Sequence, residues 1–399
     1  MSKSKGNILD PIDLIDGITL DELLIKRTAD MMQPQLKLEI EKHTRESFPG
    51  GIPGYGTDAV RFTFYSLAST GRDIKFDLNR TEGFRNFCNK IWNASRYVLM
   101  NCEGKPAAKI PEAKYLSVAD LWISSRFELV AAEIESAMAN YRFDIASQSL
   151  HEFVWNEYCD WYVELSKPVL WDAENNPEPA EATRWVLLNI LEKSLRLLHP
   201  FMPFITEEIW QRVAPILSIS GDSIMLQPYP CFDSKNIDKN AEENIEWIKG
   251  IIIAIRNIRG EMDISLGKPI AVFLAKGSPS DQQRLEAYRP YLQKLAKLSS
   301  ISWLKTGAEQ PASATQLHGE LEILVPLAGL IDVAAERSRL QKEISKLESA
   351  LKSVSGKLGN ARFVDNAPAD VVEKEKAKQE QMSSAIAALQ EKLAQLASL

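Results

Sequence analysis

The sequence predicts a mainly α fold made of a helical bundle, a small α/β unit and a C-terminal antiparallel coiled-coil hairpin. Three observations lead to this prediction. Across residues 56–219, apolar side chains recur every three or four positions, as on helices, and strand signals are few. Across 220–330, short β-like runs alternate with helical segments. Across 331–399, apolar side chains alternate by four and three, the spacing of a coiled-coil seam.

The composition is typical of a globular protein with more than one domain. The 399 residues exceed the roughly 250–300 at which a single core stops growing, and 45% are hydrophobic and 25% charged. The four cysteines have no C-x-x-C spacing, which indicates neither a zinc module nor a disulfide framework and fits a reducing cytosol. No apolar run reaches the ~20 residues that a membrane span requires. We therefore expect a cytoplasmic protein that does not insert into membranes.

Residues 1–55 are predicted to form a loop, a short helix at 20–29 and a polar connection interrupted by proline and glycine. In the loop, Lys3 is a mobile point charge suited to phosphate. Its neighbours Ser2 and Ser4 suit a flexible segment that folds over a ligand. A polar Ser/Lys start is also typical of a frayed terminus, so these residues by themselves leave both interpretations open.

The predicted bundle occupies residues 56–219. Its first helix begins at Thr57, a capping residue followed by apolar positions at helical spacing. The next helix, 81–101, has one apolar face formed by Phe84, Phe87, Cys88, Ile91, Ala94 and Val98. Further amphipathic helices are predicted at 117–140, 142–166, 180–198 and 204–213. Because short loops join these helices, they should pack as a bundle, and the aromatic run at 153–162 is assigned to its core.

The segment 220–330 is predicted to be a small α/β unit. It contains a helix at 242–262, a helical segment at 281–297 and β-like runs at Ile270–Ala275, Ile301–Leu304 and Leu321–Pro326. Neither G-x-G-x-x-G nor G-x-x-x-x-G-K-[ST] occurs, so a dinucleotide-binding or P-loop fold is not indicated. The four histidines are far apart and G-x-S-x-G is absent, so the residues offer no nucleophile paired with a base.

The segment 331–399 is predicted to form two helices that reverse direction near Gly359–Pro368. Residues 337–362 include seven basic and two acidic residues, although the whole chain carries a net charge of −7. Such a cationic segment suits a phosphate backbone, and Arg339, Lys342 and Lys346 are its candidate contacts. The alternative is that these basic side chains pair with acids across the coiled-coil seam.

A second candidate surface lies on the helix 81–101, opposite its apolar face. The polar side chains there are Arg85, Asn89, Lys90, Trp92, Asn93 and Arg96. Arginine and asparagine often bond phosphates and base edges, and tryptophan can stack on a base. The alternative is an ordinary solvated helix face with one partly buried tryptophan.

Taken in order, these segments resemble one family. Met1–Asn7 resembles the end of the lysine-serine signature loop, Lys-Met-Ser-Lys-Ser, of class I aminoacyl-tRNA synthetases, without its leading lysine. The segments 30–35, 56–62 and 69–74 look like those after this loop in bacterial valyl-tRNA synthetases. Arg85–Arg96 resembles the opening helix of that family's anticodon-binding bundle, and the terminal hairpin is similar to its tRNA-binding arm. His199–Trp210 is similar to a motif that the valine, isoleucine and leucine enzymes share.

The resemblance implies a role for each part of the chain. Residues 1–55 would end the catalytic domain, with Lys3 as the catalytic lysine on the ATP phosphates and Ser2, Lys3 and Ser4 as its ATP-binding loop. Residues 56–219 would be the anticodon-binding domain, 220–330 a connecting unit and 331–399 the tRNA-binding arm. The implied tRNA contacts are Arg85, Asn89, Trp92, Asn93, Arg96, Arg339, Lys342 and Lys346.

The resemblance also implies the partners. The whole enzyme would use ATP with Mg²⁺ to attach valine to tRNA(Val), whereas this C-terminal portion would bind no cofactor tightly and hold no metal. The family's nucleotide-binding half and editing insertion precede the matching segments, so we expect this portion to bind tRNA and not to activate valine alone. We also expect it to be a monomer. The competing hypotheses are a stand-alone tRNA-binding module and a coiled-coil scaffold that oligomerises.

Overall fold

The protein is mainly α, as predicted, with one small mixed sheet. The computed structural model describes residues 9–29, 34–69, 76–105, 110–305, 311, 313–327, 333–358 and 369–397. The chain divides into two compact units, Met1–Trp247 and Ile248–Leu399. The division falls within one helix, Lys239–Glu261.

The described part of the first unit is helical. Its helices are α1 (Pro11–Asp16), α2 (Leu20–Thr28), α3 (Lys37–Ser47), α4 (Thr57–Leu67), α5 (Leu78–Cys102), α6 (Val118–Ala139), α7 (Phe143–Glu152), α8 (Val163–Trp171), α9 (Pro177–Leu198) and α10 (Pro203–Val213). Each helix predicted for the bundle is present with slightly different ends. A π-helical segment, Phe153–Tyr162, joins α7 to α8, so the predicted helix at 142–166 is continuous but partly wider than an α-helix.

The N-terminal segment is more helical than the sequence predicted. Only α2 was expected, and α1 and α3 are additional. Helix α1 begins where Asp10 accepts a hydrogen bond from the Ile12 amide at 3.0 Å, with proline in its first turn. Helix α3 is polar, and only Ile40 and Thr44 are buried on it. Two buried positions are too few for a periodic signal, so this helix depends on tertiary packing.

A glycine explains the interrupted segment before α4. The backbone of Ile18 pairs with that of Ile52 in an antiparallel bridge. Gly51 has a φ of +83°, and a Cβ atom there would lie 2.3 Å from the Ile18 carbonyl oxygen. Only glycine allows this close approach of the two backbones. The bridge helps to enclose a small core that includes the buried side chains of Leu14 and Leu23.

The bundle core contains three of the five aromatic side chains in the run 153–162. Phe153, Tyr158 and Tyr162 are each at most 1% exposed. The Tyr158 hydroxyl donates to the Leu187 carbonyl oxygen of α9 at 2.8 Å. The assignment to packing is therefore confirmed for these three residues, whereas Trp155 and Trp161 of the same run are half-buried.

A buried carboxylate connects three elements of the bundle. Asp120 of α6 accepts hydrogen bonds from the Tyr162 hydroxyl at 2.6 Å and the Thr183 hydroxyl of α9 at 2.9 Å. It also accepts from the backbone and side chain of Ser117, in a capping box at the start of α6. Burial raises the pKa of Asp120, while the hydrogen bonds to its carboxylate act in the opposite direction. Its donors come from three separate segments, so the network fixes their relative positions.

The second unit contains the four-stranded sheet. Its strands are β1 (Ile270–Ala275), β2 (Leu298–Trp303), β3 (Ser313–His318) and β4 (Leu321–Pro326), in the order β2-β1-β4-β3. Strands β1 and β2 are parallel and are joined by α12 (Pro279–Leu295), whereas the other neighbours are antiparallel. Strand β3 was not predicted. It is a mostly polar edge strand whose backbone pairs with β4, so its side chains give little hydrophobic signal.

A buried arginine, Arg259, forms hydrogen bonds with the loops that precede β1 and β2. The helix Lys239–Glu261 is α11, and its Arg259 is 3% exposed. The Arg259 guanidinium donates to the carbonyl oxygens of Ser265, Lys268, Ala296 and Lys297 at 2.9–3.2 Å. Because these carbonyls lie in the segments before β1 and before β2, Arg259 joins the end of α11 to the loops that enter the sheet.

The terminal hairpin consists of α13 (Val333–Leu358) and α14 (Ala369–Ala397), which pack against each other. The Gln379 side chain donates to the Ser355 hydroxyl at 3.0 Å. Ile386 follows Gln379 by seven residues. If the two helices are antiparallel, it lies opposite residue 348, seven residues before Ser355. If they were parallel, it would lie opposite residue 362, beyond the end of α13. Ile386 is 8% exposed, which fits the antiparallel order. The predicted turn, 359–368, lies outside the described residues, and so do the side chains of Leu340, Leu389, Leu393 and Leu396.

Among the described helices, none combines the length and the apolar character needed to cross a lipid bilayer.

We predict that Tyr162→Phe destabilises the first unit. Removing the hydroxyl leaves one oxygen of the buried Asp120 carboxylate without its donor, at a cost of about 1–3 kcal/mol. Urea unfolding followed by circular dichroism measures the change. Tyr141→Phe is the matched control, because Tyr141 is 75% exposed, and it should change the free energy of unfolding little. Equal stability of Tyr162→Phe and wild type would show that the Asp120 network does not stabilise the bundle.

Candidate nucleic-acid interface

Helix α5 carries the first candidate surface. Asp77 caps its N-terminus, where the carboxylate accepts a hydrogen bond from the Asn79 amide at 3.0 Å. Its predicted inner face is buried, with Phe87, Ile91 and Val98 at most 1% exposed. Burial of this face turns the opposite face of α5 outwards.

The outer face of α5 presents four of the predicted contacts to solvent. Asn89, Trp92, Asn93 and Arg96 are exposed, and Trp92 is 36% exposed. Within the described part of the chain, none of the four has a hydrogen-bond or ion-pair partner. These side chains are therefore available to a ligand. Their role as tRNA contacts stays a prediction.

Two other polar residues of α5 have partners in the protein. Arg85 is half-buried, and its guanidinium donates to the Gly54 carbonyl oxygen at 3.4 Å. Lys90 forms an ion pair with Asp160 of the π-helical segment and lies 5.5 Å from the centre of the Trp155 ring. These contacts attach the two edges of α5 to neighbouring segments, and the role of Arg85 as a tRNA contact stays a prediction.

A histidine supports the inner face of α5. The His151 ring lies 4.7 Å from the Phe87 ring and is stacked on Trp155 at 5.5 Å, measured between ring centres. Burial lowers the pKa of His151, which favours the neutral imidazole. The cluster limits rotation of α5 and so fixes the direction of its outer face.

Helix α10 packs against α5 and adds residues to this surface. A cleft of about 30 Å³ is lined by Trp92, Ser95, Arg96, Leu99, Ile209 and Arg212. Arg212 forms an ion pair with Glu208 at 2.9 Å, and its side chain is 61% exposed. Arg212 could not be selected from the sequence, because an Arg–Glu pair four residues apart is common on any exposed helix.

The start of α10 is held by α4. The Asp58 carboxylate accepts hydrogen bonds from the backbone amides of Phe204 at 3.3 Å and Ile205 at 2.7 Å. Burial raises the pKa of Asp58, and the two backbone hydrogen bonds act in the opposite direction. The prediction that Thr57 caps α4 is wrong, since the helix has no side-chain cap. The adjacent carboxylate instead caps a helix 146 residues further along the chain.

The arm carries the second candidate surface. Lys342 and Lys346 are exposed on α13 and lie four residues apart, on the same side of the helix. Among the side chains that the structure describes, neither forms an ion pair with a carboxylate. Arg339 also lies in α13, but its side chain is outside the described part.

The predicted ATP-binding residues Ser2, Lys3 and Ser4 lie outside the described residues, so their role stays a prediction. Among the residues that are described, histidine, cysteine, aspartate and glutamate side chains form no group of three or more that could hold a metal ion.

Two segments match models of known families. Residues 120–274 match the anticodon-binding domain of tRNA ligase, and residues 332–397 match the valyl tRNA synthetase tRNA binding arm. These matches support a tRNA-binding portion of a class I aminoacyl-tRNA synthetase. The arm is of the valyl-tRNA synthetase type.

One similar solved structure is the ternary complex LeuRS-tRNA-LeuAMS from Agrobacterium radiobacter K84 agnB2. The sequence identity is 13% and the TM-score is 0.37. The match covers 77% of this chain and 32% of that one, so the chain spans about a third of the length of that LeuRS.

We predict that the stability of the protein falls when the pH drops below about 6.5, partly because of His151. An unfolded histidine takes up a proton near pH 6.5, whereas the folded pKa of His151 is lower. The unfolded state then binds more protons, so the free energy of unfolding increases with pH through this window and reaches its full value above it. Urea unfolding between pH 5.5 and 7.5 measures the slope.

His151→Gln should reduce this pH dependence, whatever its effect on stability at neutral pH. His43→Gln replaces an exposed histidine of the same unit and is the control. An unchanged slope in His151→Gln would contradict the prediction. Because burial also lowers the pKa of His199, part of the slope should remain in that variant.

Proposed function

We propose that the chain is the tRNA-binding portion of a valine–tRNA ligase. The whole enzyme would attach valine to tRNA(Val) with ATP and Mg²⁺ in the cytoplasm. The single observation that supports this most strongly is the order of the two matches, an anticodon-binding domain followed by a valyl-type arm in one chain. Valine and ATP would bind only when a nucleotide-binding half is also present. In that site Lys3 of this chain would contact the ATP phosphates, and Ser2 and Ser4 would shape the loop.

In this proposal each part of the chain has a separate task. Residues 1–55 complete the catalytic domain, 56–219 bind the anticodon stem-loop, 220–330 connect and 331–399 form the arm. Two surfaces contact one tRNA: the outer face of α5 and the cationic side of α13. Each contributes contacts too weak to bind tightly alone, and their combination raises the affinity because both surfaces belong to one chain.

The charges of α13 carry the electrostatic part of the proposal. Lys342 and Lys346 are exposed and have no carboxylate partner among the described side chains. The alternative, in which these lysines pair with acids across the helical seam, is tested by the charge reversal below, since the side chains of Glu343 and Glu391 lie outside the described residues. Lysines that neutralise RNA phosphates release counterions, so binding should weaken steeply as salt increases.

We predict that Lys342→Glu/Lys346→Glu weakens tRNA binding by at least about tenfold at low salt, because two phosphate contacts become repulsive. The slope of log affinity against log salt should also become shallower. Fluorescence anisotropy with labelled tRNA(Val) across a salt series measures both. Lys114→Glu is the matched control, since Lys114 is 63% exposed in the other unit and already pairs with Glu112. Unchanged affinity and slope in the double variant would exclude α13 as a tRNA surface.

We further predict that the chain discriminates tRNA(Val) from a copy with an altered anticodon. Correct base-edge contacts are worth roughly 1–3 kcal/mol, which corresponds to about 5- to 150-fold in affinity. Competition between the two transcripts at fixed salt measures the ratio. Equal affinities would leave general tRNA binding and remove the support for anticodon recognition. Sedimentation of the same samples tests the predicted monomer, and a tight dimer indifferent to tRNA would favour a scaffold.

A further inference from the structure

We propose that a groove in the first unit, between the end of α9, the start of α10 and the segment 220–238, is a docking site for a partner protein. The partner would present an extended segment in which one apolar side chain stands between basic ones. The apolar side chain would enter the groove, and the peptide groups beside it would bond to His199 and Arg196. This inference is independent of the proposed function, since it requires no RNA.

The centre of the groove is a cavity with a volume of about 420 Å³, which is large enough to hold a ligand group. Its apolar lining consists of Pro200, Pro203, Ile224, Met225 and Tyr229. Ile224 is 2% exposed, so it belongs to the inner wall. The Tyr229 hydroxyl donates to the Leu197 carbonyl oxygen at 3.1 Å, which holds the ring in place. The cavity therefore offers an apolar site for one aliphatic or aromatic side chain.

Large apolar side chains continue beyond the cavity. Met225 is 71% exposed, Leu226 is 67% exposed and Phe204 is 64% exposed. Leu226 follows Met225 in the chain and Phe204 follows Pro203, so both adjoin residues of the lining. A small molecule would fill the cavity and leave these three side chains in water. Because exposed apolar surface of this kind marks an interaction site, the occupant should be a macromolecule.

His199, which also lines the cavity, supplies a hydrogen-bond acceptor. The Thr206 hydroxyl donates to the Met202 carbonyl oxygen at 2.8 Å, so it can only accept a hydrogen bond from His199 Nδ1, also at 2.8 Å. The proton of the neutral ring therefore lies on Nδ1, and Nε2 carries a lone pair. Burial lowers the pKa of His199, which favours the neutral ring. In the described part of the chain, Nε2 has no hydrogen-bond partner.

Arg196 supplies the complementary donors. Its side chain is 17% exposed, and its guanidinium donates twice to Glu192 and once to the Pro228 carbonyl oxygen. A guanidinium has five N–H groups, so two have no partner among the described residues. An extended peptide segment offers N–H groups to His199 and carbonyl oxygens to Arg196. A carboxylate or a phosphate would bond only to Arg196, because it has no proton to donate to Nε2.

The charge around the groove favours a protein with basic residues. Residues 203–238 include five acidic and two basic residues, which gives a local charge of −3. The acidic residues are Glu207, Glu208, Asp222, Asp233 and Asp238, and the basic ones are Arg212 and Lys235. A negative field repels RNA phosphates and anionic lipid headgroups, and it attracts lysine and arginine. A protein segment with an apolar residue between basic ones therefore fits the groove better than RNA or a membrane does.

Synthetic peptides that differ at one position test the apolar anchor and the peptide groups. The probe is the fluorescein-labelled peptide Gly-Lys-Lys-Leu-Lys-Lys-Gly, and fluorescence anisotropy measures its affinity. Replacing its leucine by serine keeps every charge and should weaken binding by about tenfold or more. Methylation of the backbone nitrogen of the leucine, or of the lysine after it, removes a donor. At least one of these two analogues should bind about fivefold or more weakly, whereas methylation of the last glycine should change little.

Two results with these peptides would overturn the proposal. One is the absence of saturable binding of the leucine peptide. The other is equal affinity for the leucine and serine peptides, which would show that the acidic surface attracts lysines without taking up an apolar side chain.

Substitutions at exposed positions test the groove without threatening the fold. Met225→Ser should weaken binding of the leucine peptide by about fivefold or more, because it removes apolar contact area. Met100→Ser is the matched control, since Met100 is 75% exposed and does not line the cavity. Asp222→Lys should weaken binding of every basic peptide, whereas Asp16→Lys, at another exposed aspartate of the same unit, should not. Unchanged peptide affinity in Met225→Ser would overturn the proposal.

Methyl signals of isotope-labelled methionines show where the peptide binds and identify other occupants. The Met225 signal, recognised by its loss in Met225→Ser, should shift and saturate with the leucine peptide, while the Met100 signal stays in place. A Met225 signal that shifts with protein concentration alone would show a second copy in the groove, and a shift with tRNA(Val) would show RNA there. If a nucleotide-binding half present in the same ligase prevents the peptide from shifting Met225, that half occupies the groove. Each of these three results would overturn the proposal.

Discussion

The Asp120 carboxylate is buried inside the bundle, where it accepts hydrogen bonds from Tyr162, from Thr183 and from Ser117 at the start of α6. An isolated charge in such a position would cost several kcal/mol, so the group is tolerable only while its donors are in place. Its requirements therefore fix α6, the π-helical segment and α9 relative to one another. Helix α5 packs on the π-helical segment and on α9, so the position of the candidate RNA surface depends on the same network.

The α5 surface is assembled from segments that are distant in the sequence. His151 and Trp155 set the rotation of α5 from its inner side. Asp58, in α4, accepts hydrogen bonds from the first turn of α10 and so fixes where that helix begins. Helix α10 in turn carries Arg212 to the edge of Trp92 and Arg96. The hydrogen bonds of Asp58 thus help to determine the position of the exposed Arg212, although the two residues are not in contact.

The two candidate surfaces use different chemistry. On α5 the exposed groups combine one aromatic ring with amides and guanidinium groups, which suits unpaired bases together with their phosphates. On α13 the described exposed cations are lysines, which suit the phosphate backbone and carry no base preference. A structured RNA such as tRNA offers both a single-stranded loop and paired stems. Helix α13 lies within the segment that matches the tRNA binding arm, 332–397, whereas α5 precedes the segment that matches the anticodon-binding domain, 120–274, to which α10 belongs.

The sequence alone determined the order of the bundle helices, the division of α5 into an apolar and a polar face, and the cationic character of α13. These features follow from the spacing of side chains along one helix, which is local. Tertiary structure decided the rest. Strand β3 exists because its backbone pairs with β4, and α3 because Ile40 and Thr44 find a place in the core. The sequence placed Arg85 with the exposed residues of α5, but the fold bonds it to Gly54. Arg212 belongs to this surface because α10 packs on α5. The sequence does not show this, because contacts between residues more than a hundred positions apart leave no periodic signal in either segment.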